Sequence, residues 1–183
     1  PLSPLFARFS LSARVFYSGA LCGNVNFARQ PGLGYLHVLQ EGKLTVTHPL
    51  SRPLEITEPS LLFYAQPSLH GFKVKEPAGA KLVCASIDFG AAMGNPLLRG
   101  LPELLLAPLA NIEGVESTLA LLFAEAFGSR AGGAAAIDRL SEYFLVLLLR
   151  HAIDTQLVSG GVLAALADPR LAAHMAAQGF DFG

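Results

Sequence analysis

Two cysteines and two histidines are the residues whose types could do chemistry together. Cys22, His37, His70 and Cys84 supply two thiols and two imidazoles, the ligand set of a closed tetrahedral zinc site. Both donor types suit zinc. No pair has the C-x-x-C or H-x-x-x-H spacing by which one local element builds half a site, so the four can converge only through tertiary structure. The competing reading is core packing. A buried cysteine behaves as a small apolar group, and an inward histidine is hydrogen-bonded like any buried polar residue. Redox sensing by the thiols is disfavoured, because neither has a cation within two positions to lower its pKa.

Other chemical signals are poor. There is no H-E-x-x-H, G-x-S-x-G or P-loop pattern. The glycine-rich run from Gly128 to Gly133 follows a helical pattern rather than a strand, which argues against a phosphate cradle. Asp138 and Glu142 read as a solvated, dipole-favoured helix start. His48 and His174 read as surface residues, and His151 ends an apolar helix.

The elements that must position these groups fall into two halves. Residues 1–89 read as short strands: 13–17, 24–29, 34–40, 43–47, 60–64, 71–75 and 81–89. Leu44, Val46 and His48 alternate with Thr45 and Thr47, the period of two that marks a strand. Pro31-Gly32, Glu41-Gly42, Pro49, Pro53, Pro59, Pro67 and Pro77 to Gly79 punctuate them, and Glu41-Gly42 reads as a hairpin turn. Strands at this spacing predict a sandwich or barrel. On the Gly34–Gly42 strand, Tyr35, His37 and Leu39 share one face, so His37 points inward. Cys84 has Leu82 and Ser86 two residues to either side. Cys22 sits at a strand edge or turn.

From Ala91 the pattern is helical. The stretch around Gly94 to Pro108 reads as a linker. Val115, Leu119, Leu122, Phe123 and Ala126 then share a face, with Gly128 as a stop. Ile137, Leu140, Phe144, Leu147, Leu148 and His151 make a second stripe, and Tyr143, Leu145, Val146 and Leu149 extend it nearly all round. Such a helix needs cover on both sides: it is either central to the helical half or part of a dimer face. Asp168-Pro169 reads as an N-cap with proline at the first helical position of a third helix, ending near Gln178.

The 183 residues are 52% hydrophobic and 15% charged, with net charge -1. That excludes disorder and a strongly basic nucleic-acid binder. The charge is well below the ~25% usual for soluble domains. Residues 1–90 carry three excess positive charges and residues 91–183 four excess negative ones, without a dense patch. The most apolar run, Tyr143 to Leu149, is too short for a spanning helix, so no membrane partner is expected. With no signal peptide legible and no disulfide framework, a cytoplasmic protein with reduced thiols is expected. The sequence opens at Pro1 rather than methionine, which leaves targeting open.

Six stretches carry a resemblance when taken together: Leu11–Gly23 (LSARVFYSGALCG), Gly34–Gly42 (GYLHVLQEG), Pro59–Phe72 (PSLLFYAQPSLHGF), Leu82–Phe89 (LVCASIDF), Gly94–Pro102 (GNPLLRGLP) and Leu163–Ala172 (LAALADPRLA). The chain resembles the N-terminal cupin-type effector and dimerisation domain of AraC-type bacterial transcription regulators. The resemblance implies a mainly β fold: a cupin-like antiparallel β-barrel over residues 1–92, then a helical dimerisation and linker region over 93–183. In this family a C-terminal helix-turn-helix DNA-binding domain follows the DPRLA segment. It is absent from this chain, so either an excised regulatory domain or a natural single-domain relative is expected, the first being preferred.

The implied function is regulatory: the chain binds an effector or a metal, dimerises, and controls an attached DNA-binding domain, without being an enzyme. Expected partners are a second copy and a small-molecule effector, with DNA contacted only through the domain not present here. The effector would enter the barrel mouth, lined by Tyr35, His37, Phe63 and Phe72. Cys22, His37, His70 and Cys84 lie inside the resembling stretches, which keeps zinc as the expected cofactor. Related chains carry a histidine where this one has Tyr35, so one ligand position is changed. The alternative is a cupin metal-dependent oxygenase or isomerase, of which Tyr35-Leu36-His37 and Glu41 would be a degraded echo.

Overall fold

The computed structural model describes residues 12–88, 98, 100–158, 168 and 170. These form nine strands, a short 3-10 turn and two long helices. The strands are β1 (Ser12–Leu21), β2 (Gly23–Phe27), β3 (Leu33–Gly42), β4 (Leu44–Thr47), β5 (Leu54–Ile56), β6 (Ser60–Tyr64), β7 (His70–Val74), β8 (Ala80–Asp88) and β9 (Leu105–Pro108). The helices are α1 (Val115–Ala126) and α2 (Gly133–Asp154). The fold is mainly β with helices after it, as the change of sequence pattern near Ala91 predicts.

The strands make two antiparallel sheets. One has the order β1-β8-β3-β6-β9 and the other β2-β7-β4-β5. All nine fall in one compact unit, residues 13–88 with 103–111, and both helices fall in a second. The predicted barrel boundary near residue 92 therefore lacks one strand. Leu105–Pro108, read from its proline and glycine surroundings as linker, returns to pair with β6. Leu54–Ile56, too short to register as an alternation, pairs with β4.

Glu41-Gly42 does not close a hairpin. β3 pairs with β6 and β8, whereas β4 pairs with β5 and β7 in the other sheet. The segment carries the chain from one sheet to the other, after a register shift between Leu39 and Glu41. Gly42 makes the crossing possible. Its φ is 94°, and a Cβ there would stand 2.6 Å from the Gly79 carbonyl oxygen. An L side chain could satisfy neither condition.

Register fixes what faces the interior. Across β8, β3 and β6, Cys84 lies opposite His37, and His37 opposite Leu62; Tyr35 lies opposite Tyr64. In the second sheet Phe27 lies opposite His70, and Phe72 stands between Val25 and Val46. Leu39, Leu44, Val46, Leu62, Phe72, Leu82 and Cys84 share the core with Tyr35 and Tyr64. Leu36, Val38, Leu61, Phe63, Val83 and Ala85 alternate onto the other face of the five-stranded sheet and are buried too. That accounts for part of the low charge: the central strands have no wet face.

In the helical unit, α2 buries Phe144, Leu145, Leu147, Leu148 and Leu149. Tyr143 alone of the predicted all-round set stays half exposed. Near the chain end, the Arg170 N–H donates to Asp168 Oδ1 at 2.8 Å, the bond an N-cap residue makes to the second helical position. The rest of the predicted third helix, and His174, lie outside the described residues. Among the described residues no helix is long and apolar enough to cross a membrane.

Candidate functional site

The inward side of β3 delivers His37, and the inward side of β7 delivers His70. They meet between the two sheets with Nε2 to Nε2 at 2.9 Å. Both are buried, at 0% and 2% exposure. Aromatic rings enclose them. His70 lies stacked between Tyr64, at 4.0 Å between centroids, and Phe27, at 4.9 Å. Phe72 and Phe27 pack on His37 at 4.7 and 4.6 Å.

The hydrogen bonds fix the tautomers. His70 Nδ1 faces the Ser68 carbonyl at 3.4 Å, and a carbonyl only accepts. His70 therefore carries its proton on Nδ1 and offers a lone pair at Nε2. His37 donates Nε2–H to it, which leaves His37 Nδ1 as a bare acceptor. That atom is buried and has no partner among the described residues. Both imidazoles are held neutral. Burial pushes His37 well below the usual histidine range, and the neighbouring His70 adds to the effect. Burial pushes His70 down to about 4, with His48 adding to it and the Ser68 bond opposing it.

The pair is linked to the surface through Tyr64. The Tyr64 hydroxyl and His48 Nε2 are 2.8 Å apart. Sequence reasoning placed His48 on the surface; it is half-buried and continues the inward row of Leu44 and Val46. That alternation was the signal that could have found it. The chain His48, Tyr64, His70, His37 thus runs from the end of the barrel to its centre. At its outer end lies a cleft of about 310 Å³ lined by Arg29, His48, Pro49, Ser51, Leu69, Glu103 and Leu104. Ser68 Oγ donates to Glu103 Oε1 at 3.3 Å. Burial raises the Tyr64 phenol pKa, and the Glu103 charge raises it further.

The predicted barrel-mouth lining is placed differently. Tyr35, His37 and Phe72 do face inward, but they are packed against one another and the core at 4%, 0% and 1% exposure. Phe63 pairs with Leu36 and so belongs to the opposite face of the sheet. Tyr35 is a tie. Its hydroxyl donates to the Ala28 carbonyl at 2.8 Å and holds the loop that carries Arg29.

The four predicted zinc ligands do not come together. His37 and His70 meet, and Cys84 lies beside His37 in register. Cys22 is exposed at the end of β1, where a Cβ on Gly79 would stand 3.4 Å from its sulfur. Cys84 is buried among apolar core residues, and burial pushes its thiol up to about 12. Among the described residues no three His, Cys, Asp or Glu side chains are placed to hold a metal. Glu41 is exposed and pairs with Lys81 at 3.5 Å, away from the interior. A metal centre therefore does not fit these residues as they stand, and what they form is a closed, neutral hydrogen-bonded pair.

A family model described as cupin matches residues 1–154. No curated protein matches the chain by sequence. Among solved structures, the fold is similar to that of ToxT from Vibrio cholerae, an AraC-family regulator whose N-terminal domain is cupin-like. A 1.65 Å structure of it aligns with a TM-score of 0.50 at 11% identity, over 95% of this chain and 67% of that one. ToxT bound to (E)-4-(8-methylnaphthalen-1-yl)but-3-enoic acid aligns with the same score and identity, over 95% and 68%. At that identity the likeness is one of fold.

Proposed function

The chain belongs to the cupin family, and from that premise we propose that it is the sensing part of an AraC-type transcription regulator. In this reading a small-molecule effector enters the cleft at the barrel end. Its occupancy biases a DNA-binding domain attached outside these residues. The chain works as a homodimer in the cytoplasm, with the exposed Leu121, Phe127 and Tyr143 of the helical unit available to a second copy.

The observation that carries the reading is the chain from His48 through Tyr64 to the buried His70 and His37. It joins an open cleft to a sealed interior. His37 Nδ1 is a buried acceptor with no partner among the described residues, and leaving such an acceptor unpaired costs about 1–3 kcal/mol. A switch element has a use for one, because a small change of position or protonation alters its energy. The similar fold of ToxT, which holds an organic acid in one of its structures, supports a small molecule as the signal.

The test is transcription from the target promoter in cells carrying the complete gene, with His48→Gln beside the unaltered form. Loss of the effector response with basal transcription retained supports the reading. An unchanged response contradicts it. Chemical conversion of the effector by the purified protein would favour a cupin enzyme instead.

A further inference from the structure

We infer that the cleft between Arg29 and Glu103 takes a small zwitterion, an amino acid with an apolar side chain. The inference deepens the sensor reading, on which it rests for the role of the cleft.

The lining divides by chemistry. Arg29 brings a full positive charge from the β2–β3 loop, and Glu103 a full negative one from just before β9. Neither ion-pairs with the other, nor with any other described residue, although both line the same cleft. Arg29 is exposed, held in place at one remove by the bond from Tyr35 to Ala28. Glu103 is oriented by Ser68. Glu103 is itself exposed, so both charges are open to a ligand in the cleft.

A ligand bearing only a carboxylate would gain Arg29 but meet the like charge of Glu103, which offsets part of that gain. A ligand bearing only an ammonium has the reverse difficulty. A zwitterion satisfies both: its carboxylate takes the guanidinium fork and its ammonium takes Glu103, with Ser51 also lining the cleft. Pro49, Leu69 and Leu104 leave an apolar surface for a side chain, with Leu69 47% exposed. The cleft, at about 310 Å³, is at the small end of ligand pockets, which suits a molecule of amino-acid size.

The test is calorimetric titration of the protein with leucine, isoleucine, valine, methionine and phenylalanine. The tightest of them is then repeated as its N-acetyl derivative, which lacks the ammonium, and as its amide, which lacks the carboxylate. Arg29→Gln and Glu103→Gln are titrated alongside. Binding of at least one free amino acid, weakened about tenfold or more in each derivative and each variant, is the expected result. On Arg29→Gln the amide and the free amino acid should bind alike. Binding of none of the five at millimolar concentration overturns the inference, as does an N-acetyl derivative or a plain organic acid binding as well as the amino acid. The sensor reading fails separately. If the amino acid binds but leaves DNA affinity of the complete gene product unchanged, the site stands and the regulation falls. If a plain acid binds and shifts DNA affinity, the regulation stands and the zwitterion falls.

Discussion

His37 and His70 stand 33 residues apart in sequence on strands of opposite sheets, and their Nε2 atoms meet at 2.9 Å. One donates and the other accepts. Removing either leaves a buried polar atom unpaired, whereas removing both removes the need. His37→Leu and His70→Phe should each cost about 1–3 kcal/mol in urea denaturation, and the double variant should cost no more than the worse single. Strictly additive losses would show that the two do not act as a pair.

Acid should unfold the protein through this pair. The folded-state pKa of His70 is about 4, below its value in the unfolded chain. The unfolded state therefore binds protons first as pH falls below about 6.5, and stability is full above that value and lost on the way down to about 4. His70 alone gives a loss of about 2 kcal/mol between pH 7 and pH 5, and His37, also lowered, adds to it. His70→Phe should flatten the profile. A denaturation midpoint unchanged across that window in the unaltered protein would contradict neutral burial.

The thiols should separate by reactivity. Cys22 is exposed, and Cys84 is buried with its pKa pushed up to about 12. Titration with an aromatic disulfide reagent at pH 8 should label one thiol per chain quickly. The second should appear only when denaturant is added. Fast labelling of both would place Cys84 at the surface.

Gly42→Ala should be among the most damaging single-methyl changes in the barrel. The added Cβ meets the Gly79 carbonyl oxygen at 2.6 Å in a left-handed backbone. A cost of about 2 kcal/mol or more is expected from strain and overpacking together. A neutral substitution would show that the sheet-to-sheet crossing is not tight.

Much of the barrel was legible because its strands alternate. His37 was placed inward by Tyr35 and Leu39, and the register bears that out. What escaped were features set by pairing across sheets. Leu105–Pro108 has no alternation long enough to read, and it becomes a strand because β6 offers an edge. Glu41-Gly42 has hairpin composition, yet the partner strands of β3 and β4 lie in different sheets. The site was half legible for the same reason. Residue type singled out His37 and His70, but not which cysteine lay beside them. Arg29 and Glu103 come together with His48 only in the folded cleft, from the β2–β3 loop and the segment before β9, and no local spacing announces that.

The central claim is that events in the cleft are read through His48 and Tyr64. Fluorescence anisotropy of promoter DNA with the complete gene product tests it most directly, with and without saturating effector, in the unaltered protein and in Tyr64→Phe. That variant keeps the ring stacked on His70 and removes only the hydroxyl that meets His48. The account predicts a change in DNA affinity of about fivefold or more on effector binding in the unaltered protein, and its loss in Tyr64→Phe although the effector still binds. A full response in Tyr64→Phe would contradict it.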